Sequence, residues 1–584
     1  MKSEIKSINT KEKLINLLLL IILLLGLTFA IRDYFAFRSF WTDEAALALN
    51  LERSFKELVQ PLGSGQMAPI FFLFLAKLLS LLFGLKDYIL KIVPLLFGVG
   101  SLLLFLIISK KLLPKIHTAF ALSFFILSER MLNYFTEFKQ YSAEIFFALL
   151  LFLFYLNLSS QNINDNNTVL YKTKFIVFIV LGIISIGFSF TAPVVLVSIL
   201  ILLLKDLFFK KDIKANIKNK ADIKKYKIKK YKIVSVINYI FISFFWILSI
   251  FIFYFYNRQN NSQVSYMNNY WNFAFFPIIP RNTSQLFWLP NSIIDFFNYF
   301  YKIDGGLISK DLILIKIIFG FILLLLFIIG IIKYFNKPNN LAIFTFSLIF
   351  ISLSLSALKI YPFYQRTILY LASFIILNMA NGLGFIIDFL NNKKKYLKNF
   401  NLFLISIILV FLFAIPFIIR VYYFIEPKYR SEIKPFINYC INNKKENDAI
   451  LVQEIYLNQF VFYYNKKTHD NKNIIFFKNL LKKDLNNMLN ENKNLWIFCD
   501  NKTSAIIKSY FDKTFSEKII ITNVSNFQCS YSSINIDKKS NKVFIKQFEI
   551  ITLAKNISKK IQNEKIKSKI YNFNNPGIEM LLIY

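Results

Sequence analysis

Residues Phe40–Asn50 read FWTDEAALALN. The run follows closely on the first hydrophobic span. Thr42 is the expected N-cap, and the apolar residues Ala45 to Leu49 carry the helix onward. Asp43 and Glu44 then place two adjacent carboxylates in the first helical turn. Two readings fit. Acidic residues complement the positive end of any helix, an effect of roughly 0.3–1 kcal/mol. Alternatively, Asp43 stands at a membrane surface and faces a lipid-linked substrate. This segment by itself does not choose between them.

The surrounding chain is that of a polytopic membrane protein. It has 584 residues, of which 56% are hydrophobic, and a mean hydropathy of +0.48. Apolar runs of membrane-crossing length repeat along most of the first 420 residues. The formal net charge is +36. Its lysines sit largely beside hydrophobic spans, in a chain rich in Ile, Asn, Lys and Phe throughout, so nucleic acid is not an expected partner. Three cysteines, Cys440, Cys499 and Cys529, allow one bridge at most. The two histidines, His117 and His469, are far apart in sequence, and no Cys/His cluster suggests zinc.

Met1 to Lys13 is polar and carries four lysines. Leu14 to Ile31 resembles a signal peptide in charge and position. It is long for one and lacks a small-residue cleavage site, so it reads as a retained helix with a cytoplasmic N-terminus. Pro69 to Phe83 then decides the topology. Its 15 residues rise about 22 Å, short of a ~30 Å hydrocarbon core, which lays it along the membrane surface. Three basic clusters then face inward: Lys110, Lys111 and Lys115; the loop Lys205 to Lys232, with twelve lysines against three aspartates; and Lys393, Lys394, Lys395 and Lys398. The expected spans are 14–31, 89–109, 117–135, 143–158, 174–190, 193–209, 235–256, 311–332, 341–358, 367–390 and 400–420. Residues 1–420 form the membrane module, with a first outer loop at 32–88 that carries the surface-lying helix. Residues 421–584 form an extracytoplasmic α/β domain. Its expected strands are Ala449–Val452 and Leu495–Cys499, and its expected helices are Ser431–Asn442 and Thr503–Phe511.

In this topology polar groups gather at the outer helix ends. Besides Asp43 and Glu44 there is Glu137, in YFTEFKQYSAE. If that stretch is helical, Glu137, Gln140, Tyr141 and Glu144 share a face and Lys139 points elsewhere. Arg366 lies in LKIYPFYQRTILYL, where Pro362 ends or kinks the local helix, and Gln66 lies in GQMAP. Each has a plainer reading. Arg366 fits an interfacial anchor, Glu137 and Lys139 fit a solvated turn with a weak ion pair, and Gln66 fits an ordinary loop. Glu129, which could pair with Arg130, rivals Glu137 as an ionisable group at membrane depth. Tyr270, Trp271 and Phe273 fit either a sugar platform or an interfacial aromatic belt. Taken together, carboxylates and an arginine from distant segments suit transfer of a group from a lipid phosphate. A carboxylate takes the proton of an attacking hydroxyl, and a cation stabilises the departing phosphate.

These stretches resemble a known family. FWTDEAALALNLERSF, GQMAPIFFLFLAKLLSLLFG, YFTEFKQYSAEIFFALL, GFSFTAP and YPFYQRTILYLASFIILNMANGL, in this order, are similar to motifs of GT-C glycosyltransferases. The likeness is to the family 39-like group related to protein mannosyltransferases and aminoarabinose transferases. It covers roughly residues 14–420, and the domain that follows resembles more loosely the outer domain of some bacterial members. The resemblance implies an all-α membrane bundle in the plasma membrane. It implies inverting transfer from a polyprenyl-phosphate sugar to an acceptor on the outer face. By position it assigns Asp43 as the general base, with Glu44 beside it, and Glu137 as the second acid. Arg366 falls on the donor phosphate, which Lys139 also approaches. Gln66, Gln140, Tyr141 and Tyr361 are the expected substrate contacts around them. Some relatives hold a divalent metal through an acid and a histidine. No histidine falls near the outer face here, so a metal stays doubtful. The Glu129–Arg130 pair departs from the family pattern. The rival reading is a transporter or flippase of lipid-linked saccharides, which predicts polar groups running through the bundle and often an internal repeat.

Overall fold

The computed structural model describes residues 2–159, 168–209, 237, 239–253, 261–301, 313–333, 339–391, 398–425, 433–443, 449–464, 474–477, 495–499, 519–521, 531–537, 542–548 and 579–582. The chain divides into two compact units. One is Met1–Phe35 with Arg53–Ile425, and the other is Ala36–Glu52 with Glu426–Tyr584. The expected helix Thr503–Phe511, His469, Cys529, and most of the basic loops at 205–232 and 393–398 lie outside the described residues.

The first unit is an all-α bundle. Among the described residues six helices are long and apolar enough to cross a membrane: Glu12–Phe35, Asp87–Leu112, Tyr141–Ser159, Asn340–Ala357, Gln365–Leu390 and Ile405–Ile425. Shorter apolar helices are Ile70–Phe83, Lys115–Leu127, Thr173–Phe188, Tyr239–Phe253 and Ile317–Ile332. Large apolar side chains such as Leu14, Leu17, Leu20 and Leu24 stay exposed along the first helix, as do Phe346 and Phe350 on another. In water such a surface would be a liability, whereas lipid accepts it. Buried hydroxyls are satisfied within their own helices, as Ser109 donates to Phe105 O at 2.7 Å and Thr345 to Leu341 O at 2.8 Å.

Close packing dictates composition at two glycines. A Cβ on Gly330 would stand 1.9 Å from the carbonyl oxygen of Asn378, and one on Gly382 would stand 2.0 Å from that of Leu326. The helices Ile313–Ile332 and Leu369–Asn391 therefore meet backbone to backbone. Elsewhere the core is aromatic. Phe152 stacks on Phe344 at 4.4 Å between centroids, and Phe374 meets Phe344 edge-on at 4.9 Å. This cluster ties Tyr141–Ser159, Asn340–Ala357 and Leu369–Asn391 together.

The expected span 117–135 is instead two helices, Lys115–Leu127 and Glu129–Tyr134. The break is at Ser128, whose backbone is extended (φ −71°, ψ 97°) and whose hydroxyl donates to Phe300 O at 3.1 Å. Glu129 and Arg130 are handled locally just beyond it. Asn133 donates to Glu129 Oε1 at 2.7 Å, and the Arg130 guanidinium lies 4.8 Å from the Tyr299 ring centroid.

In the second unit, Ala36–Glu52 packs with the C-terminal part of the chain, although the sequence reading kept all of 32–88 in one outer loop. The reason is a set of buried polar contacts. Tyr463 Oη accepts from the Phe40 amide at 2.7 Å, and Gln459 Nε2 donates to Phe40 O at 2.5 Å. Ser39 Oγ accepts from the amides of Ile433 and Lys434 at 3.3 Å each. The expected C-terminal helix and both strands occur as Lys434–Asn443, Ala449–Gln453 and Leu495–Cys499. The described strands form one mixed sheet in the order Ile474–Phe477, Ala449–Gln453, Leu495–Cys499, Glu579–Leu582, Tyr531–Asp537, Lys542–Phe548 and Ile519–Ile521. Its first three strands are parallel, and the helix Leu457–Tyr464 falls between two of them in the chain.

Candidate active site

The helix holding the paired acids spans Thr42–Leu49. Its N-cap is Trp41 rather than Thr42. The Thr42 hydroxyl instead donates to Ile455 O at 3.0 Å, and to Gln459 Oε1 at 3.4 Å. Glu44 takes over part of the capping. Its Oε2 accepts the Trp41 amide at 3.1 Å and faces Arg38 Nη1 at 3.4 Å, and its side chain is fully buried. Asp43 is half-buried. The two neighbours thus differ, because one carboxylate closes the helix start and the other stays within reach of solvent.

The second acidic position lies in the first unit. Residues 135–140 form a turn, not the helix that the shared-face argument assumed, and the helix begins at Tyr141. The Lys139 amide donates to Glu137 O at 2.6 Å, which folds the chain back on itself. Lys139 is thereby brought onto Gln66, and its Nζ donates to Gln66 Oε1 at 2.6 Å. Gln66 is presented by the tight turn Gly63–Gly65, where Ser64 holds a left-handed backbone (φ 55°). Glu137, Lys139, Gln140 and Tyr141 are all buried.

Arg366 sits in the 3-10 turn Gln365–Ile368, where Gln365 also has positive φ (32°). Its guanidinium lies 5.2 Å from the Trp271 ring centroid. Tyr364 meets Phe273 edge-on at 5.1 Å, and Phe363 N donates to Ala274 O at 3.0 Å, so the segment after Tyr270 is bound to this turn. Tyr361 joins the two regions. Burial, and then Glu144, Tyr141 and Tyr370, hold its phenol well above the ordinary tyrosine range, while Arg366 pulls the other way. The structure thus brings together Gln66 with Lys139, and Arg366 with Trp271, while Tyr141, Glu144 and Arg366 lie within electrostatic reach of Tyr361. Glu144 and Trp271 belong to the same neighbourhood, although the sequence reading left them out of its site. The available signal for Glu144 was its position one helical turn after Gln140.

Among the described residues no group of three or more His, Cys, Asp or Glu side chains could hold a metal ion.

No protein-family model matches the chain, and none of the curated proteins matches it. Solved structures do. The apo oligosaccharyltransferase of Archaeoglobus fulgidus aligns with a TM-score of 0.47 at 10% identity, over 82% of this chain and 69% of that one. ArnT from Cupriavidus metallidurans aligns in the apo state with a TM-score of 0.43 at 8% identity, over 90% of this chain and 96% of that one. The same protein bound to undecaprenyl phosphate gives 0.42 at 8% identity, over 86% and 95%.

Proposed function

We propose that the chain is an integral membrane glycosyltransferase that moves a sugar from a polyprenyl-phosphate carrier to an acceptor hydroxyl, with inversion, on the outer face of the membrane. The observation that supports this reading most is the polar neighbourhood built at helix ends of an otherwise apolar bundle. There Lys139 lies on Gln66, and the Arg366 guanidinium lies over the Trp271 ring.

Asp43, half-buried at the start of its helix, acts as the base. The acceptor hydroxyl gives its proton to the Asp43 carboxylate as its oxygen bonds to the anomeric carbon. The bond from that carbon to the phosphate oxygen breaks on the opposite side, and its electron pair leaves with the phosphate. Arg366 and Lys139 stabilise the charge that develops there. Glu137 is the second acid, and Gln66, Gln140, Tyr141 and Tyr361 orient the substrates.

The test uses membranes given labelled polyprenyl-phosphate sugar. The wild type transfers label, and Asp43→Asn loses transfer at normal protein level. Undiminished transfer by the variant removes Asp43 as the base. Sidedness is tested by a Phe37→Cys variant in a background lacking Cys440, Cys499 and Cys529. Phe37 is 49% exposed, whereas neighbouring Ser39 is buried. A membrane-impermeant thiol reagent labels it in intact cells. Labelling only after the inner side is opened overturns the outer-face assignment.

A further inference from the structure

The segment that leads into Asp43 is held by its backbone. The Phe40 amide donates to Tyr463 Oη at 2.7 Å, and the Phe40 carbonyl oxygen accepts from Gln459 Nε2 at 2.5 Å. The Trp41 amide donates to Glu44 Oε2 at 3.1 Å, and the Trp41 carbonyl oxygen accepts from the Ala45 amide at 3.0 Å. The backbone polar groups of both residues are therefore all engaged. Thr42 follows, and its hydroxyl donates to Ile455 O at 3.0 Å. Asp43 is the next residue in the chain.

The distant partners come from one short stretch. Ile455, Gln459 and Tyr463 are spaced four residues apart. Gln459 and Tyr463 therefore lie one turn apart on the same face of Leu457–Tyr464, and Ile455 lies in the turn Glu454–Tyr456 just before it. The strand Ala449–Gln453 precedes that turn, so the stretch is rooted in the sheet. Phe40 is fully buried, with its ring centroid 5.1 Å from that of Phe462. Gln459 is fully buried too. A buried amide is offset only by the hydrogen bonds it makes, and an apolar side chain would fill the same space without that desolvation cost. Gln459 donates to Phe40 O, and its Oε1 accepts from Thr42 Oγ1 at 3.4 Å. Both ends of the side chain thus serve the same three residues.

We propose that Gln459 and Tyr463 are positioning residues for the general base. They fix the backbone at Phe40, and with Ile455 O they fix the entry of the helix that carries Asp43, so the carboxylate is aimed before the acceptor arrives. They act through the backbone rather than on substrate. A displacement of about 1 Å in a catalytic group lowers a rate about a hundredfold, which makes such a clamp worth a buried glutamine. The proposal rests on the glycosyl-transfer reading, with Asp43 as the base, and adds to it a role for the C-terminal part of the chain.

The test uses the full-length protein in detergent and compares the wild type with Gln459→Met, Tyr463→Phe, their double variant and Phe460→Leu. Phe460 is the control, being as buried as Gln459 in the same helix and stacked on Tyr464 at 4.8 Å between centroids. Each protein is measured for thermal midpoint, for amide hydrogen exchange over residues 40–45, and for initial rates of sugar transfer at saturating and limiting donor. Rates are taken well below the lowest midpoint. Gln459→Met and Tyr463→Phe speed exchange over residues 40–45 and lower kcat about ten- to a hundredfold. Their KM for the donor stays at the wild-type value, because Arg366 and Lys139 are unaltered. Phe460→Leu lowers the midpoint at least as far and keeps the wild-type kcat. A kcat that simply follows the midpoint across the variants overturns the proposal, as does a double variant with the wild-type kcat or with unchanged exchange. A wild type that transfers no sugar, or an Asp43→Asn protein that transfers normally, sinks the functional reading instead, and the inference with it.

Discussion

Arg420 Nη2 donates to Asp33 Oδ2 at 2.6 Å, and Arg420 is fully buried. The pair joins Lys2–Phe35 to Lys398–Ile425, the first and last helices of the bundle unit. Phe29 adds a ring centroid 4.9 Å from the same guanidinium. Arg420 Nε and Nη1 have no hydrogen-bond partner, so the desolvation cost is only partly offset. Arg420→Met alone strands the Asp33 carboxylate and should destabilise the unit by about 3–5 kcal/mol, whereas Asp33→Leu with Arg420→Met should recover most of that loss. Thermal unfolding of the detergent-solubilised variants reads both. Equal losses in the single and double variants would show that the two side chains do not act as a pair.

Asp43 and Glu44 are adjacent, yet they should fail in different ways. Glu44→Ala removes the acceptor of the part-buried Trp41 amide and the Glu44 carboxylate that faces Arg38. The expected cost is about 1–3 kcal/mol, with lower protein yield and a reduced thermal midpoint. Asp43→Asn, which keeps the shape of the side chain, should remove transfer at normal protein level. The check is to measure both quantities on both variants. A Glu44→Ala protein of normal stability and no activity would return Glu44 to the chemistry.

The contrast also marks how far the sequence could be read. Hydropathy and lysine placement were enough for a helical bundle followed by a mixed α/β part, because burial and lipid exposure act on whole runs of residues. The helix after Phe40 was legible too. Its cap was not, because Thr42 has tertiary partners in Ile455 and Gln459 that no local pattern announces. The same limit applied at Lys139. Helical spacing pointed it away from its neighbours, but the chain turns at Glu137 and delivers it to Gln66, which lies 73 positions earlier. The break at Ser128 was half visible, since Glu129 and Arg130 flagged an interruption without locating its acceptor at Phe300.

The short helix Phe55–Leu58 offers a pH-dependent test. Glu57 Oε2 accepts from both the Ser54 amide and the Ser54 hydroxyl at 2.8 Å, and Ser54 Oγ accepts from the Glu57 amide at 3.3 Å. The backbone hydrogen bond from Ser54, and then its hydroxyl, hold the Glu57 carboxyl below its usual value of about 4.5. A carboxyl depressed in the folded state stabilises above its unfolded value, and that contribution disappears as pH falls through the folded one. Amide exchange at Ser54–Leu58, corrected for the intrinsic pH dependence, should therefore show full protection at neutral pH and less near pH 3. Glu57→Gln should flatten the profile. A wild-type profile already flat over this range would rule the capping carboxylate out as its cause.

Lys139 and Gln66 give the sharpest test of the phosphate side. Lys139 is buried and its ammonium meets the Gln66 carbonyl oxygen, so the cation is held in place before substrate arrives. Lys139→Met removes the charge and should lower transfer about tenfold or more, in line with loss of one charge-assisted contact to a departing phosphate. Lys139→Arg should rescue poorly, because a planar fork does not fit a point-charge position at the back of a tight turn. Gln66→Leu keeps the charge but loosens its aim, and should cost less than Lys139→Met. Initial rates at saturating and limiting donor separate these outcomes. A Lys139→Met enzyme that transfers at the wild-type rate would take Lys139 out of the phosphate-stabilising role and leave that work to Arg366.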